Sequence, residues 1–352
     1  MSTFIGVTYQ LQSQILSCLR SWLIAGEISA RAVAKSPLFS YVFEALTSTE
    51  LFDAAVEAVC DLIHETQEVE ENVFAIDLIL SELIRIKPNI SAIKDDTEKV
   101  RGYTRIYSEA GEVYRMLLLQ NPETFFPILE AIGECTAYPD LDIVPITFNF
   151  WMRLAQCIGR TSNVSSLFFD AYKTLMGVII RHLRFPSNES MTAKEIEDFR
   201  SFRHVMGDTL KDCCYVLGTE VCLSIVYELI LSALANASLG VHWQEIEAPL
   251  FSLRSVGAEV DITDDIIIPR IMDLLPRLPS HNKVKYAATL VISRYSEWTN
   301  RHPDYIQDQL QFILSSFGSG DAESSAAGAQ AIKYICQDCK HVSQFVFIEN
   351  LS

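Results

Sequence analysis

The chain has 352 residues, with 28 Lys and Arg against 45 Asp and Glu, giving a formal net charge of −17. Hydrophobic residues make up 49%, which excludes a disordered acidic tail, since enough apolar surface is available to offset the ordering entropy. A surplus of acids also argues against direct nucleic-acid binding, which needs Lys and Arg to neutralise phosphates.

Helical periodicity runs through almost the whole sequence, and strand signals are scarce. In chain order the predicted helices are 8–25, 28–47 (broken at Pro37), 49–67, 71–87, 97–120, 123–136, 141–160 and 165–184. They continue as 192–217, 219–237, 243–260, 264–278, 282–301, 304–317 and 322–342. In the third, Leu51, Phe52, Ala55, Val56, Val59, Leu62 and Ile63 recur at spacings of three and four. Glu50, Asp53, Glu57, Asp61 and Glu65 fill the opposite face, so one stripe is buried. Ser48 or Thr49 is the expected cap. The most apolar stretch, Val221 to Leu239, contains Glu228 and Asn236 and reads as a buried helix rather than a membrane span.

Taking every second helix, the starts fall near 8, 49, 97, 141, 192, 243, 282 and 322. A quasi-period of about 40 to 47 residues with two helices per unit is the mark of HEAT or armadillo repeats. Each pair has too little of its own core and stacks on its neighbours. The expected fold is therefore all-α: an α-α superhelix of HEAT-like repeats, about seven helix pairs and a terminal helix. Residues 1–342 form a single array, with 343–352 as a divergent tail.

Seven segments then carry a family resemblance: Cys18 to Trp22, Leu51 to Cys60, Ile146 to Leu154, Phe199 to Arg203, Asp208 to Asp212, His242 to Phe251 and Ala327 to Cys339. In this order they resemble the middle of a β-karyopherin of the importin-β superfamily, in the transportin-SR branch that includes the fungal mRNA transport regulator. The resemblance implies a nuclear import receptor that shuttles between nucleus and cytoplasm. Its cargo would be basic, Arg-Ser-rich or RNA-binding proteins, and the full-length receptors are regulated by the small GTPase Ran in its GTP form. Family members are two to three times longer, so the chain is expected to be a central fragment. The N-terminal repeats that contact Ran and the arginine-rich helix that grips Arg-Ser cargo would lie outside it. A HEAT-repeat scaffold or regulatory subunit of another complex is the alternative.

No Gly-rich phosphate loop, Gly-x-Ser-x-Gly elbow or His-Glu-x-x-His motif is present, so no catalytic residue, cofactor or metal is expected. Cys336 and Cys339 form one CxxC pair, but a structural zinc site needs four ligands and no second pair exists. The nine cysteines read as reduced, buried thiols.

Charge is more informative. From Glu44 to Glu98 there are 14 acids against three bases. This stretch is either a solvated face that keeps the protein soluble or a surface for basic partners. The resemblance implies that the second helix of each pair lines the concave side, which singles out Glu71 and Glu82 on one such helix. On another it singles out Arg270, Asp273 and Arg277. Asp261, Asp264 and Asp265 precede that helix as a candidate acidic cap. Against the trend, Arg181, His182 and Arg184 end one helix, and Lys194, Arg200, Arg203 and His204 follow after the linker Pro186 to Thr192. These are either ordinary capping and surface charges or a contact for an acidic or phosphorylated partner. Apolar residues of the end repeats, including Leu16, Leu19, Trp22, Ile332 and Ile335, are expected to be partly exposed.

Overall fold

The computed structural model describes residues 8–186, 191–235, 242–318 and 320–339. No strand occurs among them. The chain divides into two compact units, Met1–Ala171 and Tyr172–Ser352. The expected tail 343–352 and the core of the linker, 187–190, lie outside the described residues.

The first unit contains α1 (Tyr9–Ile24), α2 (Ala30–Ala34), α3 (Pro37–Ala45), α4 (Phe52–His64), α5 (Val69–Ile86) and α6 (Pro88–Ala92). It continues with α7 (Thr97–Val113), α8 (Arg115–Gln120), α9 (Pro122–Thr136), a 3-10 turn at Val144–Thr147 and α10 (Phe148–Ile158). The boundary falls within α11 (Ser166–His182). In this unit α1 packs on α4, α4 on α7 and α7 on α10, forming a layer of first helices. A second layer forms where α2 packs on α5 and α5 on α9.

The second unit repeats the scheme. Its helices are α12 (Ala193–Leu217), α13 (Thr219–Ala235), α14 (Gln244–Val256), α15 (Ile268–Leu274), α16 (Asn282–Arg294), α17 (Ser296–Arg301), α18 (Ile306–Phe317) and α19 (Ala322–Asp338). First helices stack as α12 on α14, α14 on α16 and α16 on α19.

The period read from the sequence reappears as a ladder of polar contacts between equivalent positions of successive repeats. In the first unit Arg20 Nε donates to Asp61 Oδ2 at 2.6 Å, His64 Nδ1 meets Glu109 Oε1 at 2.9 Å, and Lys87 Nζ donates to Glu130 Oε2 at 2.6 Å. In the second, Arg203 Nη2 donates to Glu247 Oε2 at 2.7 Å, the Tyr295 hydroxyl to the Leu253 carbonyl at 3.0 Å, and Ser296 Oγ to Asp338 Oδ2 at 2.5 Å. Every rung joins residues 41 to 45 positions apart.

Helix ends follow local chemistry. Ser36 accepts from the Leu38 amide with Pro37 in the first turn of α3. Thr192 and Glu195 close a reciprocal capping box on α12. Gly218, at φ +82°, ends that helix in a conformation that disfavours a side chain.

Several expectations need adjusting. Ser48 and Thr49 do not cap α4: the Ser48 hydroxyl donates to Glu50, and the helix starts at Phe52 with no side-chain cap. The helix predicted over 97–120 breaks at Tyr114, whose buried hydroxyl bonds Thr66. Leu16, Leu19 and Ile335 are buried, because they form the stripes that dock α1 on α4 and α19 on α16. The exposed side of α1 instead carries Tyr9, Leu11, Trp22 and Ile24.

Candidate protein-binding surface

The acids between Glu44 and Glu98 divide by layer. Two of the three on α4, in the first-helix layer, are engaged: Glu57 binds Arg20 and Arg105, and Asp61 binds Arg20, while Asp53 is exposed. The Arg105 hydrogen bond holds the Glu57 carboxyl below its ordinary range. Glu57 and Asp61 stitch α1, α4 and α7 together.

On α5, in the second layer, the situation differs. Glu68, Glu70, Glu71 and Asp77 are exposed, and no ion pair among the described residues involves them. Glu82 is half-buried and holds Arg85 one turn on, so of the two sequence candidates Glu71 presents a free charge and Glu82 does not. The same exposed side of α5 carries Val73 and Phe74, 53% and 47% exposed, and Ile84 further along. Lys35 Nζ lies 5.9 Å from the centre of the Phe74 ring. Acids interleaved with apolar side chains make a surface on which a basic chain can set both its charges and its aliphatic stems. The apolar members were not singled out from the sequence. Their signal is the run Glu70-Glu71-Asn72-Val73-Phe74, in which two large apolar residues fall outside the core stripe of Ala75, Ile76, Ile79, Leu80 and Leu83.

The remaining candidates lie in the second unit. Arg270, Asp273 and Arg277 are exposed on α15 and the 3-10 turn that follows it. Asp273 and Arg277 border a cleft of about 240 Å³ with Tyr305 and Asp308. Arg181 is exposed in the last turn of α11, and Arg184 lies 3.4 Å from Glu245. Asp264 acts as the expected cap, accepting from the amides of Ile266, Ile267 and Ile268. Asp261 instead closes a turn on Thr263, and Asp265 Oδ1 meets His302 Nε2 at 2.7 Å. The basic cluster after the linker is not a uniform surface: Arg203 is buried against Glu247, and Arg200 pairs with Glu323.

Among the described residues no group of three or more His, Cys, Asp or Glu side chains is gathered around a metal position. The Cys339 thiol donates toward the Ser296 carbonyl, and burial pushes it up to about 11. Burial pushes Cys60 up to about 12, far from a reactive thiolate. No helix of the described residues is long and apolar enough to cross a membrane.

Comparison with known proteins gives this architecture a family. Residues 95–182 match the Transportin-3/Importin-13 second TPR domain, residues 265–348 the third TPR domain of the same proteins, and residues 4–59 an Exportin 1-like protein family. An uncharacterized protein of Schizosaccharomyces pombe is 37% identical over 94% of this chain and 37% of its own length. The mRNA transport regulator MTR10 of Saccharomyces cerevisiae is 34% identical over 93% of this chain and 35% of its own length. The chain thus spans about a third of the length of these relatives. A solved structure of importin-13 in its cytosolic state superposes with a TM-score of 0.75 at 18% identity, covering 94% of this chain and 45% of that one, which shows the helical-repeat fold. Repeat architecture, period and sequence agree: the chain is similar to the transportin-3/importin-13 branch of the β-karyopherins, and the importin-13 structure shows the same helical-repeat fold.

Proposed function

We propose that this chain is a cargo-holding part of a nuclear import receptor, which works by binding and carries out no chemistry. The observation that carries the proposal is the exposed side of α5, where the unpaired acids Glu68, Glu70, Glu71 and Asp77 flank Val73 and Phe74. The cargo is a basic or Arg-Ser-rich segment of an RNA-binding protein. Residues 1–342 act as one repeat array, and Arg181, Arg184, Arg270, Asp273 and Arg277 are secondary contacts. As in the full-length receptors that the sequence resembles, release is coupled to Ran-GTP, and the protein shuttles between nucleus and cytoplasm. Ran-GTP needs to favour only a state of the receptor that holds cargo less well.

The test is fluorescence anisotropy with a Lys/Arg-rich peptide and an Arg-Ser-repeat peptide. Binding should weaken as salt rises to a physiological level, where the screening length falls to about 8 Å. Glu71→Lys with Asp77→Lys should weaken it about tenfold more, with helicity unchanged because both positions are exposed. Affinity insensitive to both salt and charge reversal would leave the acids of α5 as a solubility feature.

A further inference from the structure

In a chain of net charge −17, the second unit holds a pocket of the opposite sign. It lies where α12, α14 and α16 meet, with a volume of about 140 Å³. Four cationic side chains line it, Arg200, Arg203, Arg254 and Lys283, against two carboxylates, Glu247 and Glu323.

Both carboxylates are already in use. Glu247 takes a hydrogen bond from Arg203 Nη2 at 2.7 Å. Glu323 takes one from Arg200 Nη2 at 2.8 Å and another from Lys283 Nζ at 2.6 Å. Arg254 has no ion pair among the described residues and rests over the Phe251 ring, 4.9 Å from its centre. The lining therefore carries two positive charges more than its own acids neutralise.

Arg203 is the most constrained member. Its side chain is 5% exposed. Its guanidinium carbon lies 4.6 Å from the centre of the Phe185 ring and 4.1 Å from that of Phe251. Rings stacked on a guanidinium leave its donors in the plane. Its Nε is buried without a hydrogen-bond partner, which is costly for a charged donor. Desolvation lowers the affinity of Arg203 for its proton, Glu247 opposes this through its charge and hydrogen bond, and the nearby Arg254 and Arg200 add a smaller lowering.

We infer that the pocket is a binding site for a phosphoryl group, held by Arg254, the buried Nε of Arg203 and Lys283. A phosphate monoester brings a charge of about −1.5 to −2 and three acceptor oxygens, which matches both the surplus charge and the unused donors. The space equals that of about four or five waters, enough for one phosphoryl group and the atoms joining it to its carrier. The carrier has room as well: His204, Arg254, Tyr286 and Leu290 also line a wider groove of about 1010 Å³ across α12, α14, α16 and α19. The site is independent of the α5 surface.

Isothermal titration of the 352-residue chain tests this. The probes are inositol hexaphosphate, a phosphoserine peptide free of basic residues, and the same peptide unphosphorylated. At least one phosphorylated probe should bind at least about tenfold more tightly than the unphosphorylated peptide. Capture of only inositol hexaphosphate would assign the site to a free polyphosphate, and capture of the phosphopeptide to a phosphorylated protein segment. Arg254→Gln should weaken binding about tenfold, the loss of one charge-assisted contact, and Arg254→Lys by less. The exposed Arg301→Gln, away from both cavities, should leave it unchanged. Arg254 holds no carboxylate, so its substitution spares the Arg203–Glu247 pair, and unchanged thermal unfolding verifies that the fold survives. Equal affinity for phosphorylated and unphosphorylated probes, or equal losses in Arg254→Gln and Arg301→Gln, would overturn the assignment.

Discussion

Asp212 shows how a single residue of this acidic chain is set against its fold. It lies one turn beyond Asp208 on α12, half-buried. Burial, and then the charge of Asp208, push its carboxyl up to about 6, with Lys211 opposing. The folded chain thus binds this proton more tightly than the unfolded chain, whose Asp titrates near about 3.9. The contribution to stability is present at low pH and is lost as pH rises from about 4 to about 6. Asp212→Asn should therefore stabilise the protein at about pH 7 by about 1–2 kcal/mol, after allowing for solvent screening, and leave it unchanged near about pH 4. Urea unfolding at both pH values decides; a gain independent of pH would mean that ionisation of Asp212 is not the cause. At this scale the sequence is a poor guide. Arg203 reads as one of several surface cations until Phe185 and Phe251, far from it along the chain, close over its guanidinium. Glu71 was legible as an exposed acid, but the capture of Glu82 by Arg85 and the exposure of Phe74 depend on which side of α5 its neighbours cover.

Elements were far more legible, because a buried stripe every three or four residues survives any detail of packing. The break read at Pro37 appears as a helix start, whereas the helices predicted unbroken over 141–160 and 264–278 carry 3-10 turns at Pro145 and Pro276. The break at Tyr114 carries no such mark, since it rests on the contact with Thr66 in another repeat. Close packing of the first-helix layer depends on glycine in α7. A Cβ on Gly102 would lie 2.5 Å from the Phe52 ring, and one on Gly111 would lie 2.6 Å from Ile132 Cδ1. Gly133 on α9 has nothing within 4 Å. Helix propensity alone favours alanine at all three by up to about 1 kcal/mol. Gly133→Ala should accordingly gain about 0.5–1 kcal/mol. Gly102→Ala should lose about 1–3 kcal/mol, because overpacking against Phe52 and Val56 outweighs the propensity term. Thermal unfolding of the two variants should move in opposite directions, and a gain in both would mean that α4 and α7 can separate freely.

At the scale of the whole molecule, stability follows from stacking, since each helix pair borrows its core from its neighbours. In the first unit α4 is covered by α1 on one side and α7 on the other, and Val59, Leu62 and Ile63 are fully buried between them. For α1 the covering neighbour in its layer is α4, while Trp22 and Ile24 stay 51% and 66% exposed. Opening α1 therefore exposes one interface, but opening α4 exposes two. Repeat arrays open locally at free energies set by the number of interfaces broken. Burying side chains such as Leu16 and Leu19 contributes about 1.5–3 kcal/mol each, so one additional interface separates the openings by more than the 1.4 kcal/mol of a tenfold rate. Amide hydrogen exchange should be at least about tenfold faster in α1 than in α4 and α7. Trp22→Ser should leave that order intact, because the exposed indole adds little to the α1–α4 contact, whereas Leu19→Ala should speed exchange in α1 well before α7 responds. Uniform protection from α1 to α7, moving together in Leu19→Ala, would show that the first unit opens as one block rather than repeat by repeat.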